Sequence, residues 1–195
     1  MKTTPLNLIQ KLKAGAIGVL PTDTIYGLVG CALNQKTVER IYHVKGRTPT
    51  KPLIILIADF SDVEKFGVRL DAVTRTLCER FWPGKISIIF KHHNPQFAYL
   101  DRGSNTFAFR IPRRPRLLSI LRQTGPLVAP SANHEGEEPA TTIGAARAMF
   151  GEQVDFYVGG RLPSAGKPST LVLYENGAFL VKREGAVVIP KKFLV

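Results

Sequence analysis

The sequence predicts a mixed α/β protein, and three observations support this prediction. Segments with helical spacing of apolar residues alternate with short apolar runs, typical of buried strands, over most of the chain. The length of 195 residues suits one domain or two very small ones, since domains usually have about 100 to 200 residues. No low-complexity linker or internal repeat divides the chain, so a single α/β domain over residues 1–195 is the simplest architecture.

Capping residues and apolar spacing give the expected bounds of the elements. The predicted helices start at Thr4-Pro5, Thr37, Ser61, Asp71, Pro115, and Thr141 or Thr142. Strands are predicted at residues 16–20, 52–58, 85–90, 106–111, 127–129, 155–158, 170–173, 179–182 and 186–189. Residues 92–104 are expected to form a loop, with a plain surface loop favoured over a mobile flap.

Composition excludes several classes of protein. Apolar residues make up 44% and charged residues 22%, which excludes a disordered, a collagenous or a disulfide-framework chain. No apolar run reaches the roughly 18 residues that span a bilayer, and the N-terminus has no signal-peptide pattern, so we expect a cytoplasmic protein without a membrane partner. Cys31 and Cys78 lack metal-site or redox spacing and are expected to be buried free thiols.

The charge balance predicts an anionic partner. Lys and Arg total 27 against 15 Asp and Glu, which leaves a formal net charge of +12. Six arginines and no acidic residue lie between Arg102 and Arg122, a density that indicates either a positive field or a solvated face. Nucleic acid, a polyphosphate nucleotide and anionic lipid would all fit, and charge alone does not separate them.

Polar residues follow two of the predicted strands. Thr22, Asp23 and Thr24 come after residues 16–20, and Ser131 and Asn133 come after residues 127–129. In open α/β sheets, side chains at strand exits form binding sites. Ser131 and Asn133 are two residues apart, which aims a hydroxyl and an amide to one side, although an isolated SxN is more often a turn or helix cap.

Two cations stand at a helix-to-strand connection. An extended backbone from Lys45 to Arg47 would send both side chains to one side, where they suit adjacent phosphate groups. An isolated KxR is more often a solvated turn. The standard phosphate-binding and zinc-binding motifs are absent, because the chain has no GxGxxG, no P-loop spacing and no HExxH. The histidines have no metal-ligand spacing and are expected on the surface or in loops: His43, His92, His93 and His134.

Taken together and in order, six sequence blocks resemble the YrdC-like family of threonylcarbamoyl-AMP synthases. The blocks are PTDTIYGLVG (21–30), VKGRTPTKPLIILI (44–57), FWPGKISIIF (81–90), FAFRIP (107–112), APSANHEGEEPATT (129–142) and KPSTLV (167–172). The family's tetrad falls on Lys45, Arg47, Ser131 and Asn133. The resemblance covers nearly the whole chain and implies a single-domain, twisted, open mixed sheet flanked by helices, with a basic concave site.

The resemblance also implies the activity of a nucleotidyltransferase. In such enzymes the amine of L-threonine captures bicarbonate as a carbamate, whose oxygen attacks the α-phosphate of ATP and expels pyrophosphate. The product, L-threonylcarbamoyladenylate, serves N6-threonylcarbamoyladenosine modification at position 37 of tRNA, through a separate threonylcarbamoyl transferase complex. Mg²⁺ is expected with ATP, and no protein ligand for it is assigned. Cations are needed because the carboxylate, the carbamate and the triphosphate repel one another.

The roles implied by the resemblance fall on three sets of residues. The catalytic residues are Lys45, Arg47, Ser131 and Asn133. The ATP contacts are Lys45, Arg47, Thr106, Asn133, Thr141 and Ser169. The threonine contacts are Thr24, Ser131 and Arg110, of which Arg110 pairs with the carboxylate. Asp23 is expected to orient its turn, with a role as magnesium ligand as the alternative.

The sequence departs from the family pattern at a few positions. His43 stands where several relatives have a lysine, which would make a phosphate contact weaker or pH-dependent. Phe107 and Phe109 replace aliphatic residues around the arginine, and residues 134–138 are more acidic than is usual. The chain is expected to be the short form of the family.

Two alternatives stay open at this point. The first is a protein that binds double-stranded or structured RNA, such as tRNA, through the same basic surface. The arginines of residues 102–122 favour it, and a steep salt dependence of binding would reveal it. The second is related carbamoyl-adenylate chemistry on another substrate, as in the similar domain of hydrogenase-maturation carbamoyltransferases. Similarity of fold does not separate these functions from the synthase.

Overall fold

Helices and strands alternate along the chain as the sequence predicts. A computed structural model describes residues 5–162 and 166–194. Its strands are β1 (Gly18–Pro21), β2 (Tyr26–Cys31), β3 (Ile54–Leu56), β4 (Ile86–Lys91), β5 (Thr106–Arg110), β6 (Leu127–Val128), β7 (Phe156–Tyr157), β8 (Thr170–Glu175) and β9 (Ala178–Arg183). Its helices are α1 (Pro5–Lys13), α2 (Gln35–Lys45), α3 (Ala72–Glu79), α4 (Ala98–Asp101), α5 (Pro115–Thr124) and α6 (Ile143–Phe150). Short 3₁₀ helices occupy Phe60–Phe66, Pro95–Phe97, Gly151–Gln153 and Lys191–Phe193.

The strands of the described ranges join in one open sheet, in the order β7-β1-β2-β6-β3-β5-β4-β8-β9. The pairs β1–β7, β3–β5 and β4–β8 are parallel, whereas the other neighbours are antiparallel. This confirms the predicted open mixed sheet with flanking helices. The order brings β6, which precedes Ser131, between β2 and β3, and so gathers distant parts of the chain near the centre of the sheet.

Alternate residues of the central strands belong to different core clusters. Leu28 packs in the larger cluster and its neighbour Val29 in the smaller one, because successive side chains of a strand point to opposite faces. Helices α1 and α5 contact each other and supply Leu12 and Leu117 to the smaller cluster. Helix α2 supplies Ile41 to the larger one. The sheet therefore has a packed layer of helices on each face.

A group of phenylalanines forms the most aromatic part of the larger cluster. The ring of Phe66 lies 5.2 Å from those of Phe97 and Phe109, and 5.6 Å from that of Phe107, measured between centroids. These tilted arrangements are favourable for aromatic rings. The two phenylalanines that replace aliphatic residues beside Arg110 are thus accommodated by packing.

Capping explains where several helices begin and end. The Asp71 side chain accepts from Thr74 N at the start of α3, as predicted, and Thr142 rather than Thr141 caps α6 by accepting from Ala145 N. Helix α2 is capped at its C-terminus by Gly46, whose left-handed backbone (φ 59°) suits glycine. The predicted cap at Thr4 lies outside the described residues.

Strand β2 was not predicted from the sequence. Its residues, YGLVGC, include two glycines, which have low strand propensity. The structure shows why Gly30 is required, since a Cβ there would lie 2.4 Å from Thr37 Cγ2 of α2. Residues 22–25 are therefore the turn of a β1–β2 hairpin, and the polar residues after β1 are held at both ends by strands.

Two other predictions were wrong. Residues 186–189 form no strand, because the Val187 N–H and carbonyl both bond to the Thr170 hydroxyl instead of to a neighbouring strand. Residues 92–104 are not a plain surface loop, since they contain α4 and bury Phe97 and Leu100. Apolar residues at positions 97 and 100 have the spacing of a helical turn.

His92 is also not a surface histidine. It is buried, its ring stacks on Phe107 at 3.7 Å between centroids, and its Nε2 lies 3.0 Å from Asp101 Oδ2. Burial lowers its pKa, although Asp101 acts in the opposite direction. The pair joins the end of β4 to α4 and so fixes the start of β5. Among the residues described, no helix is both long and apolar enough to cross a lipid bilayer.

Replacing Phe66 with alanine tests the aromatic cluster. We expect Phe66→Ala to lower the free energy of unfolding by about 3–5 kcal/mol, because it leaves a cavity among three other rings. Val73→Ala is the control, since Val73 is 71% exposed, and it should change stability by less than about 0.5 kcal/mol. Chemical denaturation measures both, and equal effects would contradict the assignment of the core.

Candidate active site

A cleft of about 430 Å³ lies where the β1–β2 turn, the segment after β6 and the starts of β3 and β8 meet. Its lining contains six of the residues predicted for the site: Thr24, Arg47, Thr106, Arg110, Ser131 and Ser169. Lys45, Asn133 and Thr141 are not in the lining. A more open depression of about 730 Å³ beside His92 and Tyr174 contains none of the predicted residues.

Arg110 is the most buried cation in the cleft wall, at 3% exposure. It ends β5, and its Nη2 lies 3.4 Å from Oδ1 of the buried Asp23. Burial lowers the pKa of Arg110, Asp23 raises it, and the charge of Arg183 lowers it. Asp23 also accepts from Arg113 N at 3.0 Å through Oδ2. The carboxylate thus orients its turn, as predicted, and positions Arg110.

Thr24 lies beside Arg110 in the same turn. Arg110 Nη1 donates to Thr24 Oγ1 at 3.3 Å, and Thr22 Oγ1 lies 3.0 Å from Thr24 Oγ1. Both threonines are almost completely buried. The predicted threonine contacts Thr24, Arg110 and Ser131 are therefore brought to one cleft.

Lys45 lies outside the cleft lining, beside the 131–133 turn. Its Nζ donates to four oxygens, at 2.8 Å to Ser131 O, 3.3 Å to Ser131 Oγ, 2.8 Å to Asn133 O and 2.9 Å to Asn133 Oδ1. An ammonium has only three hydrogens, so these acceptors use its full donor capacity. Lys45 therefore braces the 131–133 turn from behind the cleft in this conformation.

Asn133 is part of the same hydrogen-bond network. While its Oδ1 accepts from Lys45, its Nδ2 donates to His134 O at 2.7 Å and to Glu137 O at 2.8 Å. Both amide hydrogens are thus used within the protein. Ser131 is only half-buried and lines the cleft, where the bridge between Ser131 and Gly27 holds it against β2. Lys45 contacts both side chains of the SxN pair, which confirms that they face one side.

Arg47 lines the cleft. The sequence predicted an extended backbone from Lys45 to Arg47. That expectation was wrong, because Lys45 ends α2 and Gly46 is left-handed. The turn separates the two cations, sending Lys45 behind the 131–133 turn and Arg47 into the lining. Arg47 Nε donates to Lys51 O and Nη2 to Pro52 O, both at 2.9 Å.

The acidic segment after Asn133 holds the Arg47 loop in place. Glu135 accepts from Thr48 Oγ1 at 2.9 Å and from Thr48 N, and it forms an ion pair with Lys51. These bonds lower the pKa of Glu135 to about 2. The acidic departure from the family pattern thus supports the segment that carries Arg47.

Sequence reasoning missed Arg183, the last residue of β9. Arg183 lines the cleft, and its Nη2 donates to Ser169 O at 2.9 Å and to Ser169 Oγ at 3.4 Å. Although the residue is exposed overall, partial desolvation of its guanidinium and the charge of Arg47 lower its pKa. The residue ends an exposed, charged strand, so no local pattern separates it from a solvated arginine. Ser169 itself is buried, with its hydroxyl 2.9 Å from Ser87 Oγ.

The remaining predicted residues have peripheral positions. Thr106 lines the cleft with Ser104, and their hydroxyl oxygens lie 2.8 Å apart. Thr141 and His43 are exposed and outside the lining. Across the described ranges, no three His, Cys, Asp or Glu side chains come together in a group that could hold a metal ion.

Three cationic side chains line the cleft. It presents the guanidinium groups of Arg47, Arg110 and Arg183, and none of the described lining residues is acidic. Hydroxyl groups of threonine and serine and apolar side chains such as Leu53 and Ile89 complete the wall. Such a surface suits a ligand that combines several anionic groups with an apolar part.

Comparison with known proteins agrees with this arrangement. A family model for Sua5, YciO and YrdC proteins, described as "Telomere recombination", matches residues 10–185. The chain belongs to the Sua5/YciO/YrdC family. The match spans every residue of the cleft lining.

Curated members of the Sua5/YciO/YrdC family are similar over most of this chain. A threonylcarbamoyl-AMP synthase of Nitrosococcus oceani is 31% identical over 162 residues, which cover 82% of this chain and 87% of the relative. The threonylcarbamoyl-AMP synthase of Bacillus subtilis is 31% identical over 178 residues, covering 90% of this chain. This chain spans only 51% of that longer relative.

Solved structures of the family have the same fold. The crystal structure of Pyrococcus abyssi Sua5 complexed with L-threonine has a TM-score of 0.85 and 27% identity, covering 93% of this chain and 55% of Sua5. Escherichia coli YciO has a TM-score of 0.83 with 24% identity, covering 97% and 92% of the two chains. The latter similarity concerns the fold alone.

Removing the Lys45 ammonium should damage the fold more than removing the Arg47 guanidinium. We expect Lys45→Met to lower the free energy of unfolding by about 2–4 kcal/mol, because it leaves buried oxygens of Ser131 and Asn133 without a donor. Arg47→Met should cost about 1 kcal/mol or less, since Arg47 is half-buried. Urea denaturation measures both, and a larger effect of Arg47→Met would contradict the bracing role.

The stability contribution of Lys45 should depend on pH. Burial and the charge of Arg47 lower the pKa of Lys45 to about 8. In the unfolded chain this lysine has a pKa near the ordinary value of 10.5. Between these values the unfolded chain binds more protons at Lys45, so this contribution rises as pH increases through 8. We expect the stability gap between wild type and Lys45→Met to widen by about 1 kcal/mol from pH 7 to pH 9. A narrowing gap in denaturation curves would refute this.

Proposed function

We propose that this protein is a threonylcarbamoyl-AMP synthase, a nucleotidyltransferase that forms L-threonylcarbamoyladenylate and pyrophosphate from L-threonine, bicarbonate and ATP. The observation that carries the proposal is the convergence of Arg47, Arg110 and Arg183 on one cleft beside the braced 131–133 turn. Membership of the family and the similarity to synthases agree with it.

The chemistry requires little acid–base help from the protein. The amine of threonine attacks bicarbonate carbon and forms the N–C bond of a carbamate, with release of water. A carbamate oxygen then attacks the α-phosphorus of ATP, and the bond to the β-phosphate oxygen breaks as pyrophosphate leaves. Because the carbamate is already an anion, proximity and charge neutralisation supply most of the catalysis.

The three arginines of the cleft are proposed to have two different functions, which follow from their positions. Arg110, deep in the wall beside Thr24, suits the carboxylate of threonine, because a buried guanidinium forms strong charge-assisted hydrogen bonds. Arg47 and Arg183 approach from the 47–52 segment and β9, and are proposed to neutralise the triphosphate and the leaving pyrophosphate. The Ser131 hydroxyl lies on the cleft side of the braced turn and is proposed to contact the carbamate.

Lys45 and Asn133 are proposed to contribute to this reaction by holding the 131–133 turn in place. Their side chains bond to each other and to the backbone of the 131–133 turn, which fixes the position of Ser131. Thr106 and Ser169 lie in the cleft and are proposed nucleotide contacts, whereas Thr141 would have to reach the nucleotide from outside the lining.

Mg²⁺ is proposed to enter as the complex with ATP, where it neutralises phosphate charge. The acyl-adenylate product is unstable in water, so a partner must consume it, and we propose a tRNA-modifying threonylcarbamoyl transferase complex in the cytoplasm. The product then serves N6-threonylcarbamoyladenosine formation at position 37 of tRNA.

The contacts of the arginines between Arg102 and Arg122 argue against RNA binding as the main function. The guanidinium of Arg102 packs over Tyr42 and pairs with Glu39, and Arg110 is buried in the cleft. Arg113 donates to Pro83 O, while Arg114 donates to Thr22 O and Arg161 O. Four of the six arginines thus contact other parts of the protein instead of forming one solvated basic face.

Pyrophosphate release from ATP and Mg²⁺ tests the proposed function. We expect release only when L-threonine and bicarbonate are both present. Arg47→Ala should reduce kcat/KM by roughly 100-fold, the size typical for removing one group that stabilises developing charge. Arg122→Ala is the matched control, because Arg122 is an exposed arginine of α5, and its activity should be unchanged.

The same variants distinguish the alternatives. Absence of release, together with RNA binding that weakens steeply with salt and is reduced by Arg122→Ala, would favour an RNA-binding protein. Release with another amine in place of L-threonine would favour related carbamoyl-adenylate chemistry. A wild-type kcat/KM for release in Arg47→Ala would contradict the assigned site.

A further inference from the structure

The hydroxyl group of Thr22 makes a full set of hydrogen bonds at the base of the cleft. Its Oγ1 lies 2.6 Å from Ile25 O, an atom that can only accept, so the Thr22 hydroxyl hydrogen is donated there. A hydroxyl oxygen also has two lone pairs. One accepts from Thr24 N at 3.1 Å, and the other faces Thr24 Oγ1 at 3.0 Å.

This arrangement fixes the direction of the Thr24 hydroxyl. Since Thr22 has no hydrogen left to give, Thr24 must be the donor in the bond between the two hydroxyls. The Thr24 oxygen in turn accepts from Arg110 Nη1 at 3.3 Å. One lone pair of Thr24 then remains, and Thr24 lines the cleft. The hydroxyl therefore presents an acceptor, and not a donor, to a ligand.

We propose that Thr22 is a positioning residue for substrate recognition, which fixes the Thr24 hydroxyl as an acceptor, so that the subsite beside it takes the amine of an α-amino acid. The inference rests on the proposed function and deepens it.

The neighbouring Arg110 completes this recognition. Its guanidinium donates, and its buried Nε has no hydrogen-bond partner among the described residues. An α-amino acid carries a carboxylate, which accepts, and an amine, which donates, on the same carbon. A 2-oxo acid has the same carboxylate, but its carbonyl oxygen would face the Thr24 lone pair. The two side chains thus select an amine over a carbonyl at that carbon.

Two ligands with the same carbon skeleton test this selection. L-2-aminobutyrate and 2-oxobutyrate differ only at the second carbon, and calorimetric competition with L-threonine gives their relative affinities. We expect the wild type to bind the amino acid at least tenfold more tightly. Thr22→Val releases the Thr24 hydroxyl to donate, so the preference should fall about tenfold. Thr22→Ser keeps the hydroxyl and should keep the preference.

Thr37→Val is the matched control for loss of a buried threonine hydroxyl. Thr37 is 2% exposed and donates to Gly15 O at 3.1 Å, outside the cleft lining. It should retain the wild-type preference, and ATP affinity should be the same in Thr22→Val, Thr22→Ser and the wild type. Thr24→Val, which removes the acceptor itself, should lose the preference even if Thr22→Val does not fold.

The outcomes distinguish a failure of the proposed function from a failure of the role assigned to Thr22. If the wild type does not bind L-threonine, the proposed function fails. If it binds L-threonine but Thr22→Val or Thr24→Val keeps the full preference for the amine, or Thr22→Ser loses it, the role of Thr22 is overturned. Equal affinity of the wild type for the two ligands would overturn it as well.

Discussion

The site depends on one buried charge, the ammonium of Lys45. Removing an ammonium from water is costly unless the protein supplies hydrogen-bond acceptors, and the 131–133 turn supplies four oxygens. The bonds join the end of α2 to the segment after β6, two parts of the chain almost ninety residues apart. Ser131 keeps its place in the cleft wall because of this support. The left-handed turn at Gly46 then lets Arg47, two residues after Lys45, face the cleft instead.

The second constraint is the gathering of positive charge around one cavity. Arg47, Arg110 and Arg183 are close enough for Arg183 to lower the pKa of Arg110, and for Arg47 to lower that of Arg183. Such repulsion is tolerated because Asp23 pairs with the most buried of the three and backbone carbonyls accept from Arg47. A polyanionic ligand would relieve the remaining repulsion. The cleft is thus built to bind strongly charged substrates, and its hydroxyl groups then decide their orientation.

Local patterns in the sequence predicted most elements, because capping residues and apolar spacing act over a few residues. They did not predict β2, whose glycines are explained only by the close approach of α2, nor the irregular path of residues 186–189, which is set by the Thr170 hydroxyl. The resemblance to a family located the cleft through Arg47, Arg110 and Ser131. It did not show that Lys45 and Asn133 support the site from behind, because this depends on the turn at Gly46. Arg183 was missed since its role follows from the pairing of β9 with β8.

A crystal structure of the protein with L-threonine and a non-hydrolysable ATP analogue would test the assigned cleft and the supporting role of Lys45. We expect the threonine carboxylate on Arg110, the amine beside Thr24, and phosphates near Arg47 and Arg183. Lys45 should still donate to Ser131 and Asn133 in that complex. A nucleotide bound outside the cleft, or a Lys45 ammonium that leaves the 131–133 turn to bind phosphate, would contradict these assignments.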